Sequence, residues 1–183
     1  MGDTVERVVI VGASLAGLRA AETFRSEGFE GEVVVIGAED HRPYDRPPLS
    51  KKLLAGEWEP ERIQLRQPEA FDELDVDWRF GVAATRLDIE RQVVELADGT
   101  SVRYDGCIIA TCASCRRLPD QDRFDHVHEL RTLDDALRLR AALAGGGRRV
   151  VVILSLIHIS EPTRLESKSR FPAGGGNRGG GGG

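Results

Sequence analysis

In the stretch VVIVGASLAGLRAAE, Gly12 and Gly17 hold the outer positions of G-x-G-x-x-G, and Ser14 stands where the middle glycine would be. The chemistry of such a pattern is anion capture. Main-chain N–H groups at a helix start, with the positive end of the helix dipole behind them, face a diphosphate that approaches only where side chains are small. Gly12 permits the tight turn, Gly17 lets helix and strand pack closely, and Ser14 is small enough to be tolerated. Glu39 follows 22 residues after Gly17, where a carboxylate at the end of a second strand accepts hydrogen bonds from a ribose hydroxyl pair. The bland alternatives are a plain strand-to-helix turn and, for Glu39 with Asp40 beside it, a solvated loop acid.

The elements that must position these residues are legible nearby. Residues 7–11 are a continuous apolar run, residues 15–27 a helix with Leu18, Ala21 and Phe24 on one face, and Gly28 a stop. Residues 33–36 are a second apolar run, so 7–36 has the length and order of one βαβ unit with strands buried on both faces. In HRPYDRPPLSKKLLAG, prolines 43, 47 and 48 make a stiff loop, and Ser50 is a candidate N-cap for a short helix through Leu54. Residues 82–111 alternate strand-like runs: Asp98-Gly99 offers a hairpin turn between QVVELA and TSVRYD, and CIIAT reads as a buried strand after this β-meander. Thr132 precedes a second helix, LDDALRLRAAL, with Asp134 and Asp135 in its first turn and glycines at its end. RRVVVI then starts another buried strand.

Composition narrows the classes. The 183 residues are 40% hydrophobic and 30% charged with net charge −5, which suits a globular protein and argues against nonspecific nucleic-acid or anionic-membrane binding. No apolar run reaches a membrane span, the first residues lack the sections of a signal peptide, and three cysteines make no disulfide framework. The expected location is therefore cytoplasmic, with neither a membrane nor a nucleic acid as partner.

Residues 6–153, through DRPPLSK and LRTLDDA above all, resemble the start of the bacterial FAD-dependent ferredoxin and rubredoxin reductases, the putidaredoxin reductase-like branch of the glutathione-reductase fold. The implied fold is α/β, a parallel Rossmann-type FAD-binding sheet with a β-meander, truncated here. The resemblance implies an NAD(P)H oxidoreductase that passes a hydride from NADH or NADPH to FAD and hands electrons singly to a ferredoxin- or rubredoxin-type acceptor. It places Ala16 and Gly17 at the FAD diphosphate, Ala38 and Glu39 at the adenosine ribose, Ala84 at the adenine through its backbone, and Lys51 beside the flavin ring. Arg131 reaches the cofactor from the next domain, and Gly12, Ser14, Arg46 and Thr111 complete the cofactor-binding set. A cation at Lys51 would favour the anionic reduced flavin electrostatically, which makes it the candidate catalytic residue; a plain surface lysine beside Lys52 is the alternative. Trp58 and Trp78 are read as packing residues.

Departures from the family pattern are equally specific. Residues 41–60 hold no cysteine, which excludes the C-x4-C redox pair of the disulfide reductases. Cys112 and Cys115 stand where the family has the glycine and proline of A-T-G-x-x-P; with His126 and His128 nearby they are read as drift or sequence error rather than a redox or metal site. LSLIHISEPTR, from residue 154, resembles one reading frame of a transposase adapter used in short-read sequencing libraries, so 154–183 is expected to be a non-native tail. The expected organisation is 1–111 for the first half of the FAD domain and 112–153 for the crossover and start of the NAD(P)H domain. An isolated chain of this extent is expected to be inactive. Alternatives are a nicotinamide-dependent dehydrogenase and an inert nucleotide-binding truncation.

Overall fold

The computed structural model describes residues 5–147 and 149–154. Strand β1 (Arg7–Val11), helix α1 (Leu15–Ser26) and strand β2 (Glu32–Ile36) form the βαβ unit, with β1 and β2 parallel and Arg7 opposite Glu32. Both strands are apolar at successive positions because each face is covered. Val8, Ile10, Val33 and Val35 pack on Ala20, Ala21 and Phe24 of α1. Val9, Val34 and Ile36 face the other way, onto Val94, Leu96 and Val102. The period of two along a strand sends neighbours to opposite faces.

Those last three residues come from an antiparallel meander of β4 (Ala84–Asp88), β5 (Val93–Leu96) and β6 (Ser101–Arg103). Gly99, at φ +85°, turns the hairpin, and the Asp98 carboxylate accepts the Thr100 N–H at 2.9 Å. The chain then returns to the first sheet as β7 (Gly106–Ile109), parallel to β1, and with β3 (Asp77–Arg79) at the far side the sheet order is β3-β2-β1-β7. β7 is less covered than the run CIIAT suggests: Ile109 is 67% exposed, because β7 is the outermost strand of its sheet among the described residues. Strand β3 (Asp77–Arg79) and helix α2 (Pro68–Asp72) escaped the sequence reading, since a three-residue strand shows itself only by pairing with β2.

The proline loop also differs from expectation. Pro47 and Pro48, with φ set by their rings, start a 3-10 turn at Pro47–Ser50, so Ser50 ends a turn rather than capping a helix. Tyr44, Leu49, Leu53 and Ile63 from this loop bury themselves against Leu133 and Ala136 of helix α3 (Leu133–Leu143). Thr132 caps α3 as expected: its side chain accepts the Asp135 N–H, and the Asp135 carboxylate accepts the Thr132 N–H, closing a capping box.

The chain divides into two compact units at 148/149. In the second, Val150–Ile153 form no strand and are at least 58% exposed, against the expectation of a buried one. No described strand pairs with them, and an apolar run without a partner leaves its backbone groups to water. The adapter-like tail beyond Leu154 lies outside the described residues.

Candidate functional site

The turn from β1 into α1 is built so that only small residues fit. Gly12 has φ +121°, and a Cβ there would stand 2.4 Å from the Ala110 carbonyl oxygen. Its N–H donates to Ile36 O at 2.8 Å, while the Ala110 N–H donates to Val11 O at 2.7 Å, so the end of β1 is pinned from both sides. A Cβ on Gly17 would lie 1.9 Å from Gly12 O, which leaves no space for any side chain. Ser14 is the N-cap of α1 but makes no capping bond; its Oγ lies 3.5 Å from Cys112 Sγ. The first turn of α1 contains no acid. The N–H groups of Leu15, Ala16 and Gly17 therefore lack both intrahelical and side-chain acceptors, and the positive helix end stays uncompensated.

These residues lie at the carboxyl ends of parallel strands. From β1 the chain passes through α1 to β2 on one side, and β7 adds on the other, so the strand order reverses between β1 and β7. Such a switch point leaves a crevice at the strand ends where ligands bind. Gly12 and Ser14 flank it from β1, Ala110 and Thr111 from β7. Thr111 is exposed, and its N atom would lie 2.9 Å from a Cβ on Gly12. At the end of β2, a Cβ on Gly37 would be 2.6 Å from Ala13 Cβ, so the two strand exits touch. Ala38 beyond it is exposed.

Glu39 is not a solvated loop acid. Its Oε1 accepts Arg46 Nη2 at 2.6 Å, and its Oε2 accepts the Tyr44 hydroxyl at 2.5 Å. Arg46 Nη1 continues to Arg131 O at 2.8 Å, and the Leu133 N–H donates to the Tyr44 hydroxyl at 2.9 Å. Burial works against the Arg46 cation, yet the hydrogen bond to Glu39 and the Glu39 charge outweigh it and hold its pKa above the ordinary value. Burial, then the bond to Glu39, raises the Tyr44 phenol far above its usual range, so it stays protonated and donates. Arg46 Nε is buried without an acceptor.

The structure thus brings together Glu39, Arg46 and Arg131 from the expected set, and gathers Gly12, Ser14 and Thr111 at the crevice. Arg131 Nε is turned to Ala113 O at 3.0 Å. Ala84 opens β4 and packs on the meander cluster. Lys51 is exposed and makes no ion pair among the described residues, whereas Lys52 Nζ sits 4.6 Å from the Trp58 ring centroid. Tyr44 is the residue the sequence reading missed; the available signal was an aromatic in a polar loop between Glu39 and Arg46. Cys112 and Cys115 are unpaired, and no group of three metal-ligating side chains forms among the described residues. A cavity of about 380 Å³ lies beside Arg117, Phe124 and His128, and none of the expected cofactor residues line it.

This glycine-lined crevice on a parallel sheet backed by a meander defines a dinucleotide-binding α/β protein. Residues 6–153 match the pyridine nucleotide-disulphide oxidoreductase family, and the chain belongs to it. It is 37% identical over 153 residues to the ferredoxin–NAD(+) reductase component of the p-cumate 2,3-dioxygenase system of Pseudomonas putida, covering 83% of this chain and 38% of that protein. It is 38% identical over 146 residues to rhodocoxin reductase of Rhodococcus erythropolis, covering 79% and 34%. Among solved structures, the covalent putidaredoxin reductase–putidaredoxin complex superposes with a TM-score of 0.70 at 36% identity, covering 75% of this chain and 34% of that one. The chain therefore spans about a third of the length of these relatives. The family's name refers to disulphide chemistry, but residues 41–60 here contain no cysteine.

Proposed function

We propose that this chain supplies the FAD-holding part of an FAD-dependent NAD(P)H:ferredoxin or rubredoxin oxidoreductase. The observation that carries the reading is the cradle at Gly12 and Gly17, closed to side chains and backed by an uncapped, acid-free helix start. Such a cradle fits a diphosphate. Ala16 and Gly17 would hold it through their amides, with Ser14 and Thr111 at its flanks; Ala38 and Glu39 would take the ribose and Ala84 the adenine. When bound, FAD supplies two-electron acceptance from a nicotinamide and one-electron delivery to an iron–sulfur protein. Lys51, exposed and without an ion partner among the described residues, is the candidate for placing positive charge at the flavin. Arg46 and Arg131 anchor the crossover to the ribose end.

Names of the relatives support the acceptor class, since they are reductases of ferredoxin, rhodocoxin and putidaredoxin. The domain reading follows the same line: 1–111 as the first half of the FAD domain, 112–153 as the crossover and start of the NAD(P)H domain. Three unpaired cysteines, and the lack of any described helix long and apolar enough to cross a membrane, support a cytoplasmic place for it. Taken alone, the chain is proposed to hold FAD without turnover, because Ile109 on β7 and Val150–Ile153 expose apolar surface that lacks strand partners among the described residues.

The purified 183-residue chain, incubated with FAD and gel-filtered, is expected to retain flavin absorbance and to reduce no dye with NADH. A colourless protein that binds NADH alone would replace this reading with a nicotinamide-only site. Dye reduction at an enzymatic rate would overturn the inactivity of the isolated chain.

A further inference from the structure

We infer that Tyr44 is a positioning residue that couples ribose recognition at Glu39 to the docking of α3. The inference rests on the reading of Glu39 as the ribose acceptor and deepens it. An ionised carboxylate offers about four lone-pair sites. Arg46 occupies one on Oε1 and Tyr44 one on Oε2, so each oxygen keeps one site for a hydroxyl of a vicinal diol. The two protein donors fix the plane of the carboxylate and keep its charge while leaving it able to accept twice more.

The same two donors reach the start of α3. Leu133 is the first residue of that helix, and its N–H is one of those a helix leaves without an internal acceptor. Thr132 satisfies the Asp135 N–H, and the Tyr44 hydroxyl, 89 residues away in sequence, satisfies that of Leu133. Arg46 grips Arg131 O, one residue before the cap. Tyr44 is only 6% exposed, so its hydroxyl has little access to water as a substitute partner. A diol bridging the two oxygens of Glu39 orders the carboxylate in the plane where Tyr44 and Arg46 meet it, and so holds the Tyr44 hydroxyl in place to accept from Leu133. Ligand at the ribose end and order at the α3 start therefore rise together.

The test uses the full 183-residue chain, with ADP and 2′,3′-dideoxy-ADP as probes. Calorimetry on the wild type is expected to show about tenfold tighter binding of ADP, the size of a hydrogen bond to a charged group. Tyr44→Phe is expected to cut that ratio by about threefold or more. Hydrogen exchange is expected to slow at the Leu133 amide on adding ADP to the wild type, but not with the dideoxy compound and not in Tyr44→Phe. Full diol discrimination in Tyr44→Phe, or a Leu133 amide indifferent to ADP in the wild type, overturns the coupling while leaving the dinucleotide site intact. No ADP binding by the wild type overturns both. Should Tyr44→Phe lose its circular-dichroism signal, Glu39→Gln replaces it: loss of the ADP effect at Leu133 supports the coupling, and its persistence overturns it.

Discussion

A Cβ placed on Gly17 would stand 1.9 Å from the carbonyl oxygen of Gly12, so helix α1 leaves the sheet at the closest approach that two backbones allow. Both glycines are forced by contact, Gly12 also by its φ of +121°, and contact is what separates them from Gly28 at the other end of α1. Gly28 has φ +80°, but nothing lies within 4 Å of the Cβ it would carry.

Gly17→Ala is accordingly expected to cost about 3 kcal/mol, the upper range for overpacking against groups that cannot move. It should also abolish retention of FAD. Gly28→Ala should cost about 1 kcal/mol, the penalty for a left-handed residue, with FAD retention kept. Urea midpoints and flavin absorbance after gel filtration measure both; equal losses for the two variants would show that the close approach is not what Gly17 provides.

The adjacent lysines should separate by readout. Lys52 lies over Trp58, so Lys52→Ala is expected to lose about 0.5–1 kcal/mol of stability and leave FAD affinity unchanged. Lys51→Ala should leave the urea midpoint within about 0.5 kcal/mol, as for exposed positions without partners, and weaken FAD binding severalfold. Fluorescence titration of FAD distinguishes this outcome from a plain surface lysine, which would alter neither.

Acid should open the α3 capping box. Burial opposes ionisation of Asp135, but N–H donation from Thr132 and Arg131, with the Arg138 charge, wins and holds its carboxyl below the usual value. A depressed folded pKa gives stability that is present above the unfolded value of about 3.9 and lost as pH falls through the folded one. Asp135→Asn should therefore cost about 1 kcal/mol at neutral pH, as for a lost cap, with the gap closing as pH falls below the unfolded carboxyl value and through the lowered folded one. Urea titrations of both proteins across the acid range check it.

Alkali should act through the tyrosines. Burial raises the phenol of Tyr44 well above its ordinary range, with the Glu39 hydrogen bond adding to it, and burial likewise raises that of Tyr104. A raised folded pKa gives stability that is full below the unfolded value of about 10 and is lost as pH climbs through the folded one. Tyrosinate absorbance should thus appear together with unfolding rather than before it, and Tyr44→Phe should flatten the loss of stability above about pH 10. Tyrosinate forming in a still-folded chain at the ordinary pKa would contradict the hydrogen bonds drawn around Tyr44.

The parts of this protein that were legible in its residues are those with local causes. VVIVGASLAG shows a buried strand, a turn closed to side chains and a helix start, because each depends on neighbours a few positions away. Thr132 with Asp135 is legible for the same reason, as an N-cap is satisfied three residues on. The proline pair at 47 and 48 set the conformation of its loop, although its effect fell one turn earlier than a cap at Ser50 implied.

Folding alone settled the rest. Whether Glu39 was a loop acid or an organised carboxylate depended on Arg46 and Tyr44 folding back onto it, and on Leu133 arriving from 89 positions away to engage the same hydroxyl. The outer position of β7, the exposure of Lys51 and the lack of a strand partner for Val150–Ile153, all among the described residues, likewise depend on which segments the chain brings alongside. Periodicity and turn chemistry are written in consecutive residues. Partnership between distant ones is created by the path of the backbone, and only there do a carboxylate, a phenol and a helix amide become one network.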